Sequence, residues 1–135
     1  MPKFSNESKR RLSTCDARLQ VLFNKVIENI DCTILCGHRG KKEQDKAYAE
    51  GNSKVLFPHS KHNKMPSKAV DCVSYPIQWE ATKENSARMY MFVGIVKGIA
   101  SQMGIKIRCG ADWDNDGYIN DQNFHDIPHF ELTED

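Results

Sequence analysis

The chain has 135 residues, and its 19 basic residues against 18 acidic ones give a net charge of +1. This balance gives no general reason to expect nucleic acid or an anionic membrane as a partner. Hydrophobic residues make up 39% of the chain, which argues against disorder, and no apolar run approaches the ~20 residues of a membrane span. We expect one domain over residues 1–135, monomeric, with no further domain and no stable membrane association. The first seven residues lack an apolar signal segment, which predicts synthesis and folding in a cytoplasm.

Five cysteines are present and none form a Cys-x-x-Cys pair, which predicts reduced and mostly buried thiols. Cys32 and Cys36 flank the apolar residues Thr33 to Leu35. Core packing is therefore favoured over metal ligation for both. No cysteine lies in an exposed, electropositive setting suited to a nucleophile.

The first predicted helix opens at a Ser13/Asp16 pair that resembles a capping box. Apolar residues then recur at three-four spacing from Leu19 to Ile30, which indicates one buried helical face. Cys32 to His38 is typical of a short buried strand that ends near Gly37.

The later elements are predicted from the same signals. They are a polar helix Lys41–Glu50, a strand Ala69–Tyr75, a long helix Lys83–Met103, a strand around Ile105 and Ile107, and a last strand Pro128–Leu132. Residues 52–68 form a long loop, and such a loop in a compact domain is usually functional. The predicted fold class is α+β, a small and mainly antiparallel sheet packed on two to three helices.

Several residues carry metal-site chemistry. The last predicted strand holds His129, with Asp126 three residues before it, and His62 and Asp71 lie upstream. Two histidines and an aspartate are the ingredients of a three-ligand zinc site, and a second acid can serve as its proton acceptor. Asp71 lies within the apolar stretch 69–73, where an unpaired carboxylate would be costly. A metal bond removes that cost, and pairing with an arginine or with backbone amides is the alternative.

Three further histidines compete for a role in this site. His59 lies three residues before His62, but the Pro58 next to it and the loop composition argue against a helical ligand pair. We expect a solvated or substrate-contacting residue there. His125 would point away from Asp126 in an extended strand, and His38 either shapes the pocket or is buried in the sheet.

Taken together, these residues resemble the VanY-like family of zinc D-alanyl-D-alanine carboxypeptidases and L-alanyl-D-glutamate endopeptidases, in particular its small phage endolysins. The resemblance covers about Phe4 to Leu132. The motifs that carry it are Gly37-His38-Arg39 with Gln44, Tyr48 and Gly51; Ser60-Lys61-His62 leading to Ala69-Val70-Asp71; Gly110-Ala111-Asp112-Trp113; and Asp126-Ile127-Pro128-His129-Phe130-Glu131-Leu132.

The resemblance implies a hedgehog/DD-peptidase-like fold and a role for each matched residue. His62, Asp71 and His129 correspond to the zinc ligands, although the segment between the first two is longer here than in many members. Asp126 corresponds to the catalytic acid/base. The substrate contacts are Arg39, which also steadies the oxyanion, Ser60 and Gln44.

A second metal motif runs from Asp112 to Asn120. Its residues copy the first nine positions of a calcium loop, with the ligand positions at Asp112, Asp114, Asp116, Tyr118 and Asn120. Asn123 stands where the loop expects its bidentate glutamate. Calcium binding and an exposed acidic turn therefore both remain open.

The metal-site residues predict a zinc peptidase, and the resemblance to the phage endopeptidases implies that it cuts the L-alanyl-D-glutamate bond of the peptidoglycan stem peptide. A D-alanyl-D-alanine carboxypeptidase is the alternative within the same chemistry. An inert, metal-stabilised binding module and a small calcium-binding interaction protein are alternatives from other classes. The resemblance implies that the protein is made in the host bacterial cytoplasm and reaches the cell wall after holin-type permeabilisation of the membrane.

Overall fold

The computed structural model describes residues 2–80, 82–110 and 126–133, with only the backbone of residues 126 and 127. Four α-helices and four strands form this part of the chain. They are α1 (Asn6–Leu12), α2 (Ala17–Asn29), β1 (Cys32–Cys36), α3 (Lys41–Ala49), β2 (Ala69–Ser74), α4 (Lys83–Gln102), β3 (Ile107–Gly110) and β4 (Asp126–Leu132), with a 3-10 turn at Lys61–Asn63. The predicted α+β class is confirmed.

The four strands form one antiparallel sheet in the order β1-β2-β4-β3. The last strand in sequence is thus a central strand, between β2 and β3. Helices α2 and α4 contact each other, and α4 contacts β2, β3 and β4. The core lies between these helices and the sheet.

Strand alternation divides the sheet into an apolar face and a polar face. Val70 pairs with Phe130 and Cys109 pairs with the same phenylalanine, and all three are fully buried in the core. The neighbouring pairs Asp71–His129 and Arg108–Glu131 lie in the alternate register. The polar residues therefore lie on the face of the sheet away from α2 and α4.

The N-terminal region differs from the sequence prediction in two respects. Helix α1 was not predicted; its N-cap is Ser5, whose hydroxyl oxygen accepts a hydrogen bond from the backbone N–H of Ser8. The predicted Ser13/Asp16 capping box is wrong, because Ser13 is the C-cap of α1 and Asp16 alone caps α2. The Asp16 carboxylate also pairs with Lys68, and this contact from a distant segment fixes its position.

The other predicted elements are present with shifts of a few residues at their ends. Within the predicted loop 52–68, the 3-10 turn at Lys61–Asn63 is the regular element. Among the described residues, no helix combines the length and the apolar character needed to cross a bilayer.

Candidate metal centre

Three side chains meet on the polar face of the sheet. His62 Nε2 lies 3.1 Å from Asp71 Oδ1 and 3.3 Å from His129 Nδ1. The third separation, between His129 Nδ1 and Asp71 Oδ1, is 3.4 Å. Both histidines are buried, and Asp71 is 15% exposed. Each residue thus offers one ligand atom to a common point, which makes the cluster a candidate metal site.

The local chain explains how His62 reaches the sheet. Ser60 and Asn63 form a reciprocal capping box around the 3-10 turn, in which the His62 backbone N–H donates to Ser60 Oγ at 3.2 Å. The His62 carbonyl accepts a hydrogen bond from the Arg39 backbone N–H at 2.8 Å. These contacts hold the turn against the end of β1, so the long segment between His62 and Asp71 still brings both side chains together.

The outward nitrogen of each histidine has its own partner. His62 Nδ1 lies 2.7 Å from the carbonyl oxygen of Gly37, and His129 Nε2 lies 2.8 Å from Glu131 Oε1. A proton on each outward nitrogen satisfies these acceptors. Once a bound metal displaces their protons, the inward nitrogens, Nε2 of His62 and Nδ1 of His129, present lone pairs to the cluster.

Without a metal, the surrounding groups favour positively charged histidines and a negatively charged Asp71 in the cluster. Burial opposes the charged form of His62, but attraction to Asp71 and a hydrogen bond donated to its carboxylate outweigh it and raise the His62 pKa to about 10. Burial likewise opposes the charged form of His129, whose pKa is nevertheless raised by its hydrogen bonds to Asp71 and Glu131. For Asp71, burial is outweighed by the two histidines, which hold its pKa well below the usual range. The carboxylate therefore attracts positive charge to this point, and metal binding there must displace protons.

Arg39 lies directly beside the cluster. Its Nη2 is 3.5 Å from Asp71 Oδ2, and its Nη1 donates to Gln44 Oε1 at 3.0 Å. Gln44 was predicted to contact substrate, but it is fully buried, and its side-chain oxygen accepts the hydrogen bond that orients Arg39. Ser60, also predicted as a substrate contact, is 7% exposed and caps the turn of His62 while lining the cleft.

The cluster opens into a cavity of about 410 Å³. Arg39, Ser60, His62 and His129 line it, and so does His59, which is exposed and is not part of the cluster. His38 is half-buried and also lies outside the cluster. Cys32 packs in the core as expected. Cys36 is only partly buried, with Sγ 3.9 Å from His62 Nδ1, because a bulge in β1 places it opposite Asp71.

Several predicted site residues lie outside the described part of the structure. These are the side chain of Asp126, His125, and the predicted calcium ligands Asp112, Asp114, Asp116, Tyr118 and Asn120. The backbone of Asp126 is described, and it begins β4 opposite Gly110.

Sequence reasoning missed the role of Glu131, which contacts the outward nitrogen of His129. A signal for it was present in the chain. Glu131 stands between Phe130 and Leu132, two apolar residues of the predicted strand, and two residues after His129. In a strand, that spacing places an acid and a histidine on the same face.

A buried His/Asp/His cluster at the base of an open cleft, with an arginine beside it, defines a candidate mononuclear metal centre of the hydrolase type. Comparison with known proteins agrees with this class. The family described as phage L-alanyl-D-glutamate peptidase matches residues 1–133, so the chain belongs to that family.

One relative agrees with this assignment, and one solved structure has a similar fold. The L-alanyl-D-glutamate peptidase of Escherichia phage T5 is 29% identical over 139 residues, which cover 97% of this chain and 98% of the relative. The crystal structure of the Serratia marcescens L-Ala D-Glu endopeptidase ChiX is similar in fold, with a TM-score of 0.70. The match to ChiX has 23% identity and covers 97% of this chain and 90% of that one. The family resemblance drawn from the sequence is confirmed.

Proposed function

We propose that the protein is a zinc-dependent endopeptidase that hydrolyses the L-alanyl-D-glutamate bond of the peptidoglycan stem peptide. Family membership supports the reaction, and the geometry of the His62, Asp71 and His129 cluster supports the metal. We further propose that the protein acts as a monomer. It is made in the host cytoplasm, does not associate stably with membranes, and reaches the wall after a holin permeabilises the host membrane.

The observation that carries the proposal is the spacing of the three ligand atoms. Zinc binds imidazole nitrogen and carboxylate oxygen at about 2.0–2.2 Å, and an edge of such a tetrahedron is roughly 1.6 times longer, or about 3.2–3.6 Å. The observed separations are 3.1, 3.3 and 3.4 Å. Two imidazoles and one carboxylate also form a donor set that catalytic zinc sites use. The residues present therefore fit a zinc ion with three protein ligands.

When bound, zinc acidifies a water molecule and polarises the scissile carbonyl. The chain supplies the remaining chemistry. In the proposed mechanism Arg39, held by Gln44, donates hydrogen bonds to the substrate carbonyl oxygen as negative charge develops on it. Asp126 accepts the proton of the attacking water and returns it to the leaving amine. The resemblance of the Asp126–Leu132 motif to the family pattern, together with the family match, supports this role.

Digestion of purified peptidoglycan tests the proposal. Mass spectrometry should find new carboxyl-terminal L-alanine and new amino-terminal D-glutamate, and a chelator should abolish both until zinc is restored. Release of free D-alanine would favour the carboxypeptidase alternative. Binding without any cleavage would favour the inert module.

Metal content provides an independent measurement. His62→Ala should lose stoichiometric zinc, whereas His59→Ala should retain it, because His59 lines the same cavity without joining the cluster. Equal zinc content in the two variants would contradict the assignment of the ligands.

Calcium binding at Asp112, Asp114, Asp116, Tyr118 and Asn120 remains a separate proposal, supported by the spacing of the oxygen donors alone. Calorimetric titration at physiological salt should show calcium binding that an Asp114→Ala, Asp116→Ala double variant loses. A parent protein that binds no calcium would refute this proposal.

A further inference from the structure

Glu131 is a buried carboxylate that neither the ligand set nor the proposed proton transfer uses. Its exposure is 6%, and it lies on the polar face of the sheet two residues after His129. Its register partners are Ala69 on β2 and Arg108 on β3. A small residue on one side and a cation on the other leave the carboxylate room to lie along the sheet toward His129.

The two carboxylate oxygens of Glu131 have different partners. Oε1 is 2.8 Å from His129 Nε2. Oε2 is 2.7 Å from Arg108 Nη2 and 3.6 Å from Lys61 Nζ. A buried carboxylate needs such partners to offset its desolvation. The two cations satisfy one oxygen, and the other is directed at the imidazole.

This contact determines which nitrogen of His129 can bind a cation. An N–H at Nε2 donates to Glu131, so the lone pair is at Nδ1, the atom that lies 3.3 Å from His62 Nε2. His62 has the opposite arrangement and relies on a neutral acceptor, the Gly37 carbonyl. Of the two outward nitrogens, the one on His129 therefore faces a carboxylate, whereas the one on His62 faces a backbone carbonyl. Carboxylates in this position orient a metal-binding histidine and raise its basicity.

We propose that Glu131 is the positioning residue that fixes His129 for metal ligation through Nδ1, and that Arg108 in turn fixes the Glu131 carboxylate. This inference rests on the metal site of the proposed function. The inference gives the His129 and Glu131 pair on β4 a role in metal affinity, in addition to any contribution to folding.

Zinc affinity of the full chain, measured by competition with a chelating dye, tests the role of Glu131. Glu131→Gln keeps the shape of the side chain and a hydrogen-bond acceptor but removes the charge. We expect zinc to bind roughly 10- to 100-fold more weakly. The matched control is Asp16→Asn, which makes the same chemical change in a partly buried ion pair with Lys68 that does not touch the cluster. Its zinc affinity should stay within about twofold of the parent, as expected for a residue outside both coordination shells.

A second readout reports on the imidazole itself. Nitrogen NMR of the zinc-loaded parent should show His129 with its proton on Nε2 and the metal at Nδ1. In Glu131→Gln the Nε2 proton should exchange faster with solvent. Unchanged affinity together with an unchanged imidazole signal would overturn the role of Glu131. A parent that binds no zinc would instead refute the proposed function.

Arg108→Met provides a variant at a tolerant position, since the Arg108 side chain is 40% exposed on the edge strand β3. A loss of zinc affinity smaller than that of Glu131→Gln supports the chain of contacts from Arg108 through Glu131 to His129. Parent-like affinity in this variant would overturn the part assigned to Arg108. If Glu131→Gln fails to fold, Glu131→Asp provides the test, because its shorter side chain keeps the charge but moves it away from His129. This variant should still bind zinc more weakly than the parent. Parent-like zinc affinity in Glu131→Asp would refute the proposal.

Discussion

Replacing Gln44 by alanine should destabilise the protein far more than its place on a polar helix suggests. The side chain is fully buried under the cleft. Its oxygen accepts from Arg39 Nη1 at 3.0 Å, and its amide nitrogen donates to Ser53 Oγ and to the Val55 carbonyl, both at 2.8 Å. One residue thus joins the arginine beside the metal centre to the loop that lines the cavity.

The magnitude follows mainly from these three bonds, because a fourth, donated by Asn63 Nδ2 to Gln44 Oε1, is longer at 3.3 Å. A buried hydrogen bond to a charged group contributes about 1.5–3 kcal/mol and a neutral one about 0.5–1.5 kcal/mol. Alanine regains a few tenths of a kcal/mol in helix propensity, and the contributions are not additive. We therefore expect Gln44→Ala to lower the free energy of unfolding by about 2–4 kcal/mol. Peptidase kcat/KM should fall roughly 10-fold or more, because Arg39 loses its fixed orientation.

Urea unfolding measures the stability change, and Asp45→Ala is the matched control. Asp45 is the next residue on α3 and pairs with Lys41 at 2.7 Å, but its side chain is 44% exposed. Such a surface pair contributes about 0.3–0.5 kcal/mol. If the two variants unfold within about 1 kcal/mol of each other, the buried network does not have the energy assigned to it here.

Two further predictions concern stability. A Cβ at Gly37 would overlap the Arg11 carbonyl oxygen and the Thr14 hydroxyl. Gly37→Ala should therefore lower the free energy of unfolding by about 1–3 kcal/mol. In contrast, a Cβ at Gly98 on α4 would meet no other described residue, so Gly98→Ala should stabilise the protein by about 0.5–1 kcal/mol. Equal melting temperatures of the two variants would contradict the steric argument. The Asp16 pKa is held well below its usual range by hydrogen bonds from Arg18 and then Lys68. A depressed carboxyl pKa stabilises above the unfolded value of about 3.9 and loses that contribution as the pH falls below it. Asparagine caps a helix as well as aspartate, so Asp16→Asn changes the charge and keeps the cap. The variant should have a free energy of unfolding about 1–2 kcal/mol lower than the parent at pH 7, and this difference should shrink toward pH 2. A difference independent of pH would refute the charge assignment.

Local sequence signals predicted most of the fold. Apolar residues at three-four spacing marked α2 and α4, and the alternation of Ile107 with Arg108 marked β3. The sequence prediction missed helix α1, because this helix has only seven residues and buries only Ser8 and Leu12. The N-cap of α2 was misassigned because Ser13 and Asp16 both suit that position. The Lys68 partner of Asp16, from a segment 52 residues away, is visible only in the folded chain.

The chemistry of the candidate site was likewise readable only in part. Motif resemblance named His62, Asp71 and His129, and the structure brings these three side chains together. The structural role of Gln44 could not be predicted from the sequence, because a glutamine on a polar helix gives no sign of full burial. The role of Glu131 depends on its cross-strand neighbour Arg108, whose position is set by the register of β3 against β4.

By itself, the sequence determined which residues could serve as ligands and which segments would be helices or strands, since ligand chemistry and periodicity are local properties. Tertiary structure alone decided that β4 enters the middle of the sheet, beside β2 and β3. That pairing places Asp71 opposite His129 and Arg108 opposite Glu131. The physical reason is that a shift of one residue in register would turn these side chains to the other face of the sheet. No local signal specifies the register; the burial of Phe130 and its neighbours against the helices does.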